Sequence, residues 1–154
     1  MQIRAFEPAD EDAVIRLWER CGLTRPWNDP RKDIARKLSE QPELFLVGVI
    51  GEEIVASAMA GFDGHRGWVY YLGVAPEHQG RSYGTRLMRE VERRLLERGC
   101  PKLNLQVRTA NAGVLAFYRK LGYLEDEVVS LGRRLIEDSP RSTERAAVVQ
   151  ETDA

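Results

Sequence analysis

The chain has 154 residues, 43% of them hydrophobic and 31% charged, with a formal net charge of −1 at pH 7. That length supports one domain with a single core rather than two, the balance is that of a soluble globular protein, and the near-neutral charge argues against a general nucleic-acid binder. No apolar run approaches the roughly 20 residues of a membrane span.

The opening stretch MQIRAFEPADEDAV lacks the basic end, apolar centre and cleavage site of a signal peptide. The two cysteines, Cys21 and Cys100, form neither a CxxC pair nor a metal set, so a cytoplasmic, reducing compartment and no metal are expected.

In chain order, Ile3–Phe6 reads as a short strand. Asp10–Cys21 reads as a helix, with Val14, Leu17, Trp18 and Cys21 on one face and Gly22 after its end. After the polar loop GLTRPWNDP, Asp29 has the character of an N-cap and Pro30 of a first helical residue. Ile34 and Leu38 then share a face before Pro42. Leu44–Ile50 and Ile54–Gly61 read as a hairpin turning at Gly51-Glu52-Glu53. FDGHRG is a further turn, and Trp68–Val74 an apolar central strand. Thr85–Arg98 is helical, with Leu87, Val91 and Leu95 inward and Gly99 and Pro101 ending it. Lys102–Val107 reads as a strand. Asn111 opens a short helix closed by Gly122, and Tyr123–Ile136 reads as a further strand or hairpin. Strands interleaved with helices indicate an α/β (α+β) domain over 1–138, a mixed, mostly antiparallel sheet covered by helices. Residues 139–154 read as a disordered acidic tail.

Charge is uneven along the chain. From Arg81 to Lys102 seven basic residues face three acidic ones, a local +4, while Glu137 to Ala154 carries five acids and two arginines, a local −3. Such runs are ordinarily solvated faces. The first, however, follows the stretch GVAPEHQGRSYGT, where a strand runs into small residues and then into a helix. The first amides of a helix lack internal partners, and its dipole adds positive potential there. Small residues also let phosphate oxygens approach, so a diphosphate fits this loop. There is no GxxxxGK[ST] of a P-loop and no GxGxxG of a dinucleotide fold, which leaves an NAD-binding reading with little support.

Val74-Ala75-Pro76-Glu77-His78-Gln79-Gly80-Arg81-Ser82-Tyr83-Gly84 resembles the acyl-CoA loop V-x-P-x-x-[QR]-G-x-G-x-[GA] of the GCN5-related N-acetyltransferases (GNAT). Ser82 stands where that family most often has glycine. If the position needs a positive φ, serine costs roughly 1 kcal/mol. A second block, Asn111-x-x-Val114-x-x-Phe117-Tyr118-x-Lys120-x-Gly122-Tyr123, resembles the family's N-x-x-A-x-x-F-Y-x-K-x-G-[FY], in the right order and spacing. FDGHRGWVYYLGV, with RPWNDP and SLGRRLIED around it, is most similar to the YpeA-type branch.

The resemblance implies the acyl-CoA N-acyltransferase fold, acetyl-CoA as cosubstrate, and transfer to a primary amine of a small molecule or peptide through a tetrahedral intermediate. It implies that Leu72, Gly73 and Val74 hold the pantetheine and that Gln79, Gly80, Arg81, Ser82, Tyr83, Gly84 and Thr85 hold the pyrophosphate. Asn111 and Tyr118 also meet the cofactor. The Leu72 amide would stabilise the oxyanion, and Tyr118 would protonate the leaving thiolate. On helical spacing alone, Tyr118 is a core residue.

An amine near pK 8–10 must lose a proton. Where ribosomal-protein N-terminal acetyltransferases read L-E-V-R, this chain has Leu105-Gln106-Val107-Arg108, and glutamine is no base. Asp63 and His65 are the alternative bases, although a turn aspartate and a solvated loop histidine explain them equally well. Trp27, Asn28, Tyr70, Tyr71 and Gln106 are expected at the acceptor pocket. A non-catalytic acyl-CoA-binding module of the same fold is the competing class, favoured by Ser82 and Gln106. Monomer and homodimer both remain open.

Overall fold

The computed structural model describes residues 1–138. The acidic tail expected from 139 onward lies outside the described residues. Five strands form one sheet in the order β1-β2-β3-β4-β5: Gln2–Ala5, Phe45–Ile50, Glu53–Phe62, Gly67–Val74 and Leu103–Asn104. The first four pair antiparallel and β5 lies parallel to β4, so the α/β sheet expected from the sequence is present. No helix among the described residues is long and apolar enough to cross a membrane.

Side-chain alternation along the strands builds a core on each face. On one face Leu46, Val55, Ala58, Ala60 and Val69 pack with Leu87, Met88, Val91 and Leu95 of α3 (Tyr83–Glu97) and with Tyr118 of α4 (Ala112–Lys120). On the other, Phe45, Val47 and Met59 pack with Val14, Ile15 and Trp18 of α1 (Glu11–Arg20) and Ile34 of α2 (Pro30–Leu38). The helix caps follow the sequence. The Asp29 side chain accepts from the Arg31 and Lys32 amides ahead of Pro30, and Asn111 accepts from the Val114 amide.

The sheet's register breaks twice, between Gly48 and Val49 of β2 against β3 and again between β3 and β4, and the second break organises the molecule. Ser57 pairs with Gly73 and Met59 with Tyr70, so Tyr71 and Leu72 together oppose Ala58 in a β-bulge. Tyr71 sits at φ +53, a left-handed conformation that a bulky residue holds only when its surroundings enforce it. They do: its ring stacks on Trp18 at 3.8 Å, its hydroxyl donates to Asp33 at 2.6 Å, and its carbonyl accepts from Ser57 Oγ. Ser57 in turn accepts from Trp18 Nε1 at 2.8 Å, which satisfies an otherwise buried donor.

Two expectations are corrected. The strand over Lys102–Val107 shrinks to Leu103–Asn104, because β5 meets β4 only at Gly67 and Trp68 and β4 bulges away beyond them. Tyr123–Ile136 forms no strand. Its Leu124, Val128, Val129, Leu131 and Leu135 are largely exposed, and a two-residue β5 offers no edge against which an alternating pattern could pair. Polar ties hold the segment instead: Lys102 to Asp126, Arg119 to Glu125, and Arg36 bidentate at 2.8 Å to the buried Asp138.

Candidate active site

Past Trp68, β4 has no strand neighbour on its β5 side among the described residues. This parting of two strands opens a cleft lined by Leu72, Gly73 and Val74 from β4 and by Leu105, Gln106 and Val107 from the chain beyond β5. Leu72 lies at the bulge, where ladder pairing is interrupted and a backbone donor can face a ligand.

The loop that follows is shaped by its backbone. Pro76–His78 make a single 3-10 turn. The Gln79 amide donates to the Val74 carbonyl at 3.0 Å, so this side chain braces the loop against its own strand. Gly80 and Ser82 have φ +78 and +63. The serine therefore bears the left-handed cost of roughly 1 kcal/mol that the motif's glycine would avoid. Ser82 occupies the N-cap position of α3, yet its side chain makes no capping bond. The amides of Tyr83, Gly84 and Thr85 lie in the first turn, where a helix leaves its donors without internal acceptors. Gly84 allows α4 to come close: a Cβ there would meet the Phe117 ring at 3.3 Å. Arg81 is exposed beside the loop.

Tyr118 projects from α4 into the same cleft. It is 7% exposed and packs edge-on against Phe117 and Tyr123, and its hydroxyl makes no hydrogen bond among the described residues. Burial pushes its phenol up to about 12, so it stays protonated at neutral pH. Asn111 spends its side-chain oxygen on the α4 cap.

The opposite wall is built from side chains. The bulge turns Tyr71 toward α1, on the same face as Tyr70, which opposes Met59. Tyr70 stacks on Trp68 at 6.4 Å with planes 7° apart. From α2, Asp33, Arg36 and Lys37 line the cleft. Burial first, then the hydrogen bond to Asp33, raises the Tyr71 phenol well above its ordinary value. Of the residues expected at the acceptor side, Asn28, Tyr70, Tyr71 and Gln106 line the cleft, and Trp27 does not. Asn28 accepts from Arg134 at 2.6 Å, Trp27 lies under the Arg108 guanidinium at 5.6 Å, and Gln106 donates to Ser130. Asp63 lines the cleft and His65 does not; both belong to an exposed turn before β4. The Asp63 carboxylate accepts from the Arg66 and His65 amides, which hold it below the usual carboxylate range and make it a weaker base.

Sequence reasoning missed Asp33, Lys37 and Cys21. The first two sit four residues apart, adjoining the Ile34 and Leu38 stripe of α2, a position that pattern reading assigns to solvent. Cys21 donates from Sγ to the Val74 carbonyl at 3.3 Å, and burial raises its thiol. Its only sequence signal was its place on the inward face of α1.

Comparison with known proteins agrees with this geometry. Residues 11–123 match the acetyltransferase (GNAT) family. The chain is 53% identical over 139 residues to an acetyltransferase of Sodalis glossinidius, covering 90% of this chain and 98% of that one. It is 53% identical over 138 residues to an acetyltransferase of Pectobacterium atrosepticum, with the same shares covered. Among solved structures, PaiA N-acetyltransferase of Thermoplasma acidophilum in complex with coenzyme A superposes with a TM-score of 0.74 at 17% identity, over 84% of this chain and 92% of that one. Ard1 of Thermoplasma volcanium gives 0.71 at 25% identity, over 80% and 82%.

Proposed function

The chain belongs to the acetyltransferase (GNAT) family, and from that premise we propose that it moves an acetyl group from acetyl-CoA to a primary amine by direct attack. The observation that carries this reading is the parting of β4 from β5, with left-handed Gly80 and Ser82 leading into α3 on one side and a buried tyrosine on the other. Pantetheine would add itself along the free edge of Leu72–Val74 as a further strand does, and the pyrophosphate would sit on the first-turn amides of α3. The donors there are neutral amides, and the exposed Arg81 would add charge beside them.

As the amine attacks, the carbonyl oxygen becomes an oxyanion near the bulge, where the Leu72 amide would stabilise it. The tetrahedral intermediate then collapses, the C–S bond breaks, and the thiolate leaves beside Tyr118. A phenol near 12 is a weaker acid than a thiol near ~8.5, so Tyr118 acts best as a hydrogen-bond donor to sulfur while negative charge builds there. The amine's proton has a route through the Tyr71 hydroxyl, which already donates to Asp33. This pair adjoins Leu72, whereas Asp63 and His65 sit in the exposed turn before β4. The FDGHRG turn and the RPWNDP loop further support placement in the YpeA-type branch.

Calorimetric titration with acetyl-CoA, dephospho-CoA and NAD tests the reading. Micromolar acetyl-CoA binding, weaker without the 3′-phosphate, is expected; absence of binding at millimolar acetyl-CoA would sink it.

A further inference from the structure

We propose, resting on the acetyl-transfer reading above, that the acceptor is a primary amine with a carboxylate at the far end of an extended spacer, and that Lys37 recognises that carboxylate. Lys37 is half-buried on the acceptor wall and makes no ion pair or hydrogen bond among the described residues. The other cations of this wall are engaged. Arg36 is held by Asp138 and Asp33, Arg25 by the Gly22 and Thr24 carbonyls, and Arg134 by Asn28 and Asp138. Among the described residues no acid pairs with Lys37 at contact distance: Glu43 and Glu40 attract it only from farther off, Glu43 being hydrogen-bonded to Arg98 and Glu40 exposed.

An ammonium half withdrawn from water with no carboxylate in contact is costly, and an incoming anion offsets that cost. Loss of solvent already lowers the Lys37 pKa. Lys37, Gln41, Gly61 and Trp68 line the open cleft together, and because the adjoining strand residue is Gly61 no side chain from it covers the ammonium. A Cβ built there would come to 3.5 Å from Lys37 Nζ and 3.6 Å from Gln41 Oε1, while Gln41 is locked in two bonds to the Phe62 backbone. Trp68 opposes Gly61 in the sheet and stacks with Tyr70, giving the spacer an aromatic wall.

The two ends of this pocket set the length of the ligand. Asp33 with Tyr71 marks the amine end beside Leu72, and Lys37 with Gly61 and Trp68 marks the other. Along α2 these ends are four residues apart, roughly 6 Å at 1.5 Å per residue. Along β4, Trp68 to Tyr71 spans three residues, roughly 10 Å. Amine and carboxylate should therefore lie roughly 6–10 Å apart, as in longer ω-amino acids, the side-chain amine of free lysine, or short peptides.

Thiol release from acetyl-CoA, measured against ω-amino acids from glycine to 8-aminooctanoate and against alkylamines of matching length, tests this. The ω-amino acids should be preferred by at least about tenfold in kcat/KM, with an optimum at intermediate length. Lys37→Met should erase that preference through KM and leave the acetyl-CoA Kd unchanged, and Lys37→Arg should restore part of it. Equal use of both series, no length optimum, no acetylation of any ω-amino acid, or an undiminished preference in Lys37→Met would overturn the inference, while acetyl-CoA binding in the same samples leaves the transfer reading standing. Loss of acetyl-CoA binding by the wild-type chain would overturn both.

Discussion

On the proposed reading, the working parts along one wall of the cleft are main-chain amides: the free edge of Leu72–Val74, the left-handed turn at Gly80 and Ser82, and the opening turn of α3. Across from it, the proposed working parts are side chains on unrelated elements: Asp33 and Lys37 on α2, Trp68, Tyr70 and Tyr71 on β4. The first wall depends on backbone conformation, so it needs glycine or a residue willing to bear strain. The second depends on identity and packing, so it can change from protein to protein while the fold stays the same. A family can thus share a cofactor and differ in acceptor.

The sharpest way to break the comparison is to alter the buried side chain of the cofactor wall. Tyr118→Phe should lower kcat by about 10²-fold and leave the acetyl-CoA Kd within about twofold, by steady-state kinetics and calorimetry. An unchanged kcat would return Tyr118 to a core role. Next, a backbone change should outweigh a charge change. Gly80→Val, forced to φ +78, should weaken acetyl-CoA by about tenfold or more, whereas Arg81→Ala should cost less than about fivefold. On the acceptor wall, Ser57→Ala leaves the Trp18 indole donor buried without its partner. A loss of about 1–3 kcal/mol in denaturant unfolding is expected, with acetyl-CoA affinity little changed. Ser82→Gly should relieve the left-handed serine and raise stability by about 1 kcal/mol, with acetyl-CoA binding equal or tighter.

The smallest effect expected is in acid. The hydrogen bond from Arg4 holds Asp10 below the usual range, and Arg93 with Arg94 holds Glu90 at about 2. Both folded-state values lie below the unfolded ones. The stability these carboxylates contribute is therefore complete above the unfolded carboxylate range of about 4, and is lost as pH falls toward 2. Denaturant titrations at pH 7, 4 and 2.5 should show this decline, while a stability that rose on acidification would contradict it.

Much of this was legible in the residues themselves. Helix caps at Asp29 and Asn111, the hairpin, the apolar β4 and the small-residue loop are local events, set by propensity, turn chemistry and spacing within a few positions. The cost of Ser82 was legible too, as a condition on φ that the fold then met. What sequence reading overextended were strands, Lys102–Val107 and Tyr123–Ile136, because an alternating pattern describes a willingness to pair and says nothing of whether an edge is there. What it missed were the bulge that turns Tyr71, the bond from Tyr71 to Asp33, and Lys37 beside Gly61 with no contact partner among the described residues. Those depend on residues tens of positions apart meeting across a sheet. By itself, then, the sequence determined most of the elements and the loop proposed to hold the cofactor, since both are short-range. Only tertiary structure decided the acceptor wall, because burial and charge pairing are properties of neighbours the chain brings together on folding.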